Sequence, residues 1–254
     1  MAKHESTSEL VAQIVALLGD FENMSVVDEL RPRVQALAPI YQATMQLGPS
    51  LIPHQIASSA RDRLLHYFHM YPMTVLPREE LAIVAGIGEW ARRIRELRVE
   101  HGWSIVSGTT AKQMAETGEF PLDNVDASLL KPDDYVLLSV KQDKEAAYRW
   151  NLAKSIRQES LGVRAKILKY LRSNVGVPVS GEELRYVAAD KTDWARRVRE
   201  LRTEYGWPVV TKQSGRLDLP VGMYLLEDDR QSPPHVRKID DRVRMNVLVR
   251  DKWT

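Results

Sequence analysis

The chain has 254 residues, enough for one large domain or two small ones, and its 44% hydrophobic and 28% charged residues are ordinary for a folded soluble protein, so no segment is assigned to disorder on composition. With 36 basic and 34 acidic residues the net charge is only +2, too balanced to argue for a polyanionic partner by bulk charge, so only the distribution of charge can make that case. The lack of cysteine excludes disulfides, thiolate metal sites and thiol nucleophiles. The amino terminus, MAKHESTSEL, has no apolar core of a signal peptide, and no stretch approaches the ~18 apolar residues that span a bilayer. These features predict a soluble protein with no membrane partner and the cytoplasm as its compartment.

Residues 1–60 read as an N-terminal helical segment. Ser6 and Ser8 offer caps, and Leu10, Val11, Ile14, Leu17 and Leu18 recur at helical spacing. A second helical run, Val27 to Leu47, is expected to be broken by Pro32 and Pro39. An amphipathic stripe must be buried somewhere, so this segment is a brace or a candidate homodimer contact, with an accessory contact surface as the alternative.

A repeat follows. WARRIRELRVEHGW, Trp90 to Trp103, returns as WARRVRELRTEYGW, Trp194 to Trp207, and the similarity starts earlier. Leu64 to Phe68 matches Ile167 to Leu171, and Glu79-Glu80-Leu81 matches Glu182-Glu183-Leu184. An offset of about a hundred residues is domain-sized rather than that of a solenoid. Each copy has a first helix, then a second that starts at Pro77 or at Ser180 with Glu183 three residues on. The third begins near Gly88 or Thr192 and stops at Gly102 or Gly206, where glycine can take the left-handed conformation. β-rich strings come next: Trp103 to Val106 and Tyr135 to Leu138 in copy one, Trp207 to Val210 and Tyr224 to Leu226 in copy two. Copy one carries a long insertion, Gly108 to Asp134, which reads as a loop, whereas that of copy two, Lys212 to Gly222, is short. Between the copies, Asp143 to Glu159 predicts a helical connector with Ala146, Trp150, Ala153 and Ile156 on one side. The fold class is mainly α with small β-hairpins, an α+β protein. Its expected divisions are 1–60, a module 61–140, a connector 141–162, a module 163–230, and a tail 231–254.

Three helices followed by a hairpin, twice, resembles the winged helix-turn-helix family, in which the third helix is the recognition helix and the hairpin is the wing. The resemblance implies double-stranded DNA as partner, although winged helices also serve as protein-contact modules. With Trp90 at zero and about 100° per residue, Ile94, Leu97 and His101 face the core beside it, and Arg92, Arg95, Glu96 and Val99 face outward. Copy two places Trp194, Val198, Leu201 and Tyr205 inside and Arg196, Arg199, Glu200 and Thr203 outside. Arginine matches guanine O6 and N7, so Arg92, Arg95, Arg196 and Arg199 are candidate base readers, with Val99 and Thr203 placed to meet a thymine or methylcytosine methyl. Arg93, Arg98, Arg197 and Arg202 flank the stripe as candidate phosphate contacts, and Lys191 and Thr192 at the helix start are further candidates. The plainer reading of Arg92–Glu96 and Arg196–Glu200 is a solvated face with weak i,i+4 pairs.

His66 and His69 stand at i,i+3, a geometry that can hold a metal, with no third ligand in view. Gly86-Ile87-Gly88 lacks the remaining glycine and the lysine of a phosphate loop and reads as the turn between second and third helices. No catalytic constellation is apparent, and no cofactor is expected for this chain. In the tail, Pro233-Pro234 marks a linker, and Val-Leu-x-Arg-Asp-x-x, Val247 to Trp253, resembles the opening of the HNH nuclease domain. That resemblance implies the DNA-reading region of a restriction-type endonuclease, with a divalent metal expected only for an HNH domain beyond it and a modified target base as an open alternative. Other readings are a DNA-binding regulator or replication initiator, and a tandem winged-helix assembly adaptor.

Overall fold

The computed structural model describes residues 6–24, 28–119 and 126–233, together with Met245. Its described residues are mainly helical with two small antiparallel sheets, an α+β fold. The HNH-like string of the tail lies outside the described residues.

Helices α1 (Thr7–Met24) and α2 (Leu30–Ser50) form an antiparallel hairpin. Against expectation, neither proline breaks the second helix. Pro32 lies in the first turn, where its missing N–H has no helical acceptor to lose, and Pro39 is carried inside the helix at an exposed position. Copy one contributes α3 (Ala60–Met70), α4 (Arg78–Ala85) and α5 (Trp90–Val99), then β1 (Ile105–Ser107). The stretch expected as a loop opens instead with α6 (Gly108–Glu116), capped by the Ser107 hydroxyl, and returns through a short 3-10 turn to β2 (Tyr135–Leu137). The connector α7 (Ala146–Arg157) leads to copy two: α8 (Val163–Arg172), β3 (Val179–Ser180), α9 (Gly181–Val187), α10 (Trp194–Thr203), β4 (Val209–Thr211) and β5 (Met223–Leu226). Ser180 and Glu183 close a capping box at the start of α9.

The second sheet has the order β3-β5-β4, and copy one keeps a reduced version of it: β1 pairs β2, and Leu76 bridges Tyr135 where β3 would stand. Strand alternation then joins the copies. Ile105 and Leu137 point into a core made with Leu64, Phe68, Leu81, Ile94 and Leu97 of copy one. Val106, Val136 and Leu138, on the other face, belong to a second core with Met114, Trp150, Ile167, Leu184, Trp194, Val198 and Tyr224. The hairpin of copy one is therefore buried on both faces, between its own helices and copy two.

Candidate nucleic-acid interface

The two third helices are set by the same local devices. Trp90, Ile94 and Leu97 are buried on α5, and Trp194, Val198 and Leu201 on α10, as the 3.6-residue period requires. Each helix ends three residues before a left-handed glycine. The amide of Trp103 reaches the Leu97 carbonyl at 3.0 Å past Gly102 (φ +72°), and that of Trp207 reaches Leu201 at 2.9 Å past Gly206 (φ +68°). Because the helices stop there, His101 and Tyr205 are only half-buried rather than core residues: His101 Nε2 faces Arg61 at 3.1 Å, and the Tyr205 hydroxyl accepts from Arg164 at 2.6 Å.

The eight arginines of these helices fall into four matching pairs. Arg92 and Arg196 are exposed (67% each) and lean on the carboxylates of their own helix, Glu96 at 3.4 Å and Glu200 at 3.0 Å. Arg95 and Arg199 are exposed, and their side chains have no hydrogen-bond or ion-pair partner among the described residues. Arg93 and Arg197 are anchored at 2.8 Å to Glu96 and Glu200, and Arg197 also to Asp193 at 2.9 Å. Glu96 and Glu200 are thus the hubs of this face, half-buried and buried respectively, and not its outward charges. The hydrogen bond from Arg93 holds the Glu96 carboxyl below its ordinary range. At Glu200 burial pushes upward, but the Arg197 and Arg196 guanidiniums outweigh it and the carboxyl is again lowered.

Arg98 and Arg202 turn inward. Arg98 meets Glu182 of copy two at 2.9 Å and lies 5.8 Å from the Trp150 ring centre, and Arg202 meets Glu119 of copy one at 3.1 Å. Each acid is also held by hydroxyls at the start of the segment after the first hairpin strand: Ser107 and Thr110 for Glu182, Thr211 for Glu119. The two clamps are reciprocal, since each copy supplies the acid for the other's arginine. Neither arginine is placed as a free phosphate ligand. Val99 likewise departs from expectation. It packs against the second core, because the connector α7 lies against this side of α5, whereas Thr203 is exposed and donates to the Arg199 carbonyl at 3.0 Å.

Lys191 and Thr192 are exposed just before α10. The turn that carries them contains Ala189 (φ +56°) and Asp190 (φ +59°), left-handed without glycine, and Asp190 is pinned by Arg157 at 2.8 Å and Arg185 at 3.3 Å. Copy one makes its turn with Gly86 (φ +65°). His69, the candidate ligand beside His66, instead packs edge-on against Trp103 at 4.6 Å between ring centres.

Reasoning from sequence missed α6 as a structural part. Its Gln113 accepts from the Trp194 indole at 2.7 Å, and Met114 fills the space left by Gly181 and Gly222. The run of small and polar residues from Gly108 to Lys112, with Ser107 as cap and Thr110 behind it, was the available helix-start signal.

No helix among the described residues is long and apolar enough to cross a membrane. Comparison with curated proteins and with solved structures found no match. A family match does exist, and it is split as the repeat is split, falling on α3 to β2 and again on α8 to β5. It is to the KpnI N-terminal domain, over residues 61–138 and 164–227, more than half of the chain, and the protein belongs to that family.

Proposed function

We propose that this chain is a sequence-specific reader of double-stranded DNA, built from two winged-helix modules at 61–140 and 163–230, and that it is the target-reading region of an HNH-type restriction endonuclease. The family supports the restriction-enzyme setting, since it takes its name from KpnI. The order of three helices and a strand pair, with a further strand or bridge from the segment before the second helix, supports the winged-helix reading. A divalent metal belongs, in this reading, to the nuclease part.

The observation that carries the proposal is the pair Arg95 and Arg199. Six of the eight arginines on these helices are engaged by carboxylates, and the same position in each copy is left open to solvent. An unpaired guanidinium on an exposed helix face is free to fork onto a guanine edge without first breaking an internal bond. Arg92 and Arg196 can join as well, because their own side chains are exposed and Glu96 and Glu200 keep Arg93 and Arg197 as partners when they leave. Thr203 and the Lys191–Thr192 turn add polar contacts in copy two, whereas copy one, with Val99 covered, offers a narrower reading face.

A binding selection over random duplexes, with and without cytosine methylation, defines the site. Arg95→Ala and Arg199→Ala should then each cost about 1–3 kcal/mol in specific binding. Affinity should fall steeply with salt as counterions are released. Unchanged affinity and unchanged selectivity in both variants would overturn the reading, as would negligible duplex binding at low salt.

A further inference from the structure

The α1–α2 hairpin lies outside the family match and is the least buried part of the fold. Of the residues of α1 from Thr7 to Asn23 only Leu10 is buried, and of the 21 of α2 only Ala43 and Gly48 are. Each helix carries two apolar stripes. One, Leu10, Ile14, Leu17 and Phe21 on α1 with Ala36, Ile40, Ala43 and Leu47 on α2, is buried or half-buried and matches the spacing of the seam within the hairpin. The other is open. Val11 (45%), Val15 (65%) and Leu18 (48%) run along α1 at i, i+4, i+7, and Leu30 (71%), Val34 (55%), Leu37 (43%) and Tyr41 (64%) run along α2 at i, i+4, i+7, i+11.

We infer that these open stripes are the two halves of a homodimer interface, in which the hairpins of two copies of this chain pack as a four-helix bundle. Heptad spacing on both helices of one hairpin is what a bundle of antiparallel neighbours needs, and a lone hairpin satisfies only one seam per helix. The area fits: seven such side chains at roughly 100 Å² of open surface each approach the ~800 Å² per partner of a stable specific interface. The charges select a second copy over an unrelated partner. Helix α1 carries Glu9, Asp20 and Glu22 with no lysine or arginine, and α2 carries Arg31 and Arg33 with no acid. When α1 of one copy faces α2 of the other, with both hairpin tips at the same end, the acids near the tip of α1 (Asp20 and Glu22) and the arginines near the tip of α2 (Arg31 and Arg33) gather at one end of the bundle, and a two-fold axis repeats the match. A two-fold reader would recognise a site with two-fold symmetry, a consequence that rests on the DNA-reading proposal, whereas the dimer itself does not.

Sedimentation of the whole chain without DNA tests the dimer by itself. The expected particle has twice the 29.0 kDa of the chain, and the double variant Val34→Glu/Leu37→Glu should sediment as a monomer. Loss of hairpin helicity in that variant would not blur the outcome, because a second probe leaves the hairpin intact. The chain has no cysteine, so a single Leu37→Cys can form a disulfide only between copies, and it should cross-link far faster than the control Ser155→Cys on α7. A monomer at every concentration, a dimer indifferent to the double variant, or equal cross-linking at the two positions would each overturn the inference. So would a monomer that binds anionic lipid vesicles through the stripe.

Discussion

The same pair of side chains occurs in both repeats and lives in two different solvents. In copy one the Tyr67 hydroxyl donates to Glu80 at 2.9 Å on an exposed face; in copy two its counterpart, Tyr170, donates to Glu183 at 2.8 Å inside the second core. The connector supplies what the second site needs. Arg149, 4% exposed, reaches Glu183 (2% exposed) at 2.8 Å and also binds Asp143, and the backbone amide and the hydroxyl of Ser180 both donate to the other carboxylate oxygen at 2.7 Å. A carboxylate can be taken out of water only when a cation and donors go with it. Duplication therefore preserved a hydrogen bond, and the burial of copy two against the connector turned it into a structural network. Glu79 and Glu182 differ in the same way: the first is exposed, the second is the buried acid that holds Arg98.

The largest expected effect tests that contrast. Glu183→Gln leaves the Arg149 guanidinium buried with one acid fewer, and should destabilise the chain by about 3 kcal/mol in urea unfolding. Glu80→Gln, the same chemical change at the matching position of copy one, should stay within about 0.5 kcal/mol. Equal losses would show that the two sites are not differently solvated. A spectroscopic version is available at Tyr67. Burial first, and then the Glu80 carboxylate, push its phenol up to about 12. The folded state thus holds a proton that the unfolded chain gives up near pH 10, so this contribution to stability is present below that pH and lost as pH rises toward 12. Glu80→Gln should bring the phenolate transition to lower pH, as followed by ultraviolet titration.

How much of this was legible in the sequence depends on the range of the interaction. The stripe Trp90, Ile94, Leu97, its echo in copy two, the serine cap at 180 and the glycine stops are local, and period and cap chemistry reveal them. Even there the structure adds a reason that no local rule contains. A side chain at Gly102 would run into the Asp143 carbonyl, and one at Gly206 into that of Ser232, because in both copies the chain leaving the sheet crosses over this glycine and bonds it (Asp143 N–H to Gly102 O, 2.9 Å; Ser232 N–H to Gly206 O, 2.8 Å). The helical wheel could not show that Val99 is covered or that Arg98 and Arg202 point to acids of the other repeat, since a wheel treats each helix as facing one core and solvent. Here α5 faces two cores. The insertion was misread for the same reason: α6 is short, and the partners of its Gln113 and Met114 are in copy two.

The turns between second and third helices give the smaller tests. Gly86 and Ala189 are matching positions, both left-handed, and they differ in what surrounds them. Gly86 is roofed by Pro49 of α2, whose ring a Cβ would strike, so Gly86→Ala adds a clash to the left-handed penalty and should cost about 2–3 kcal/mol. Ala189 is exposed and already carries its Cβ at φ +56°. Ala189→Gly relieves a strain of about 1–2 kcal/mol and gives back part of it through the larger entropy of the unfolded chain, so a net gain of about 0.5 kcal/mol is expected, read as a small rise in Tm. A loss would mean that Ala189 is not strained, and that the pinning of Asp190 by Arg157 and Arg185 has settled the turn into a conformation that alanine suits. The turn would then be shaped by those ion pairs and not by the backbone preference that copy one satisfies with glycine.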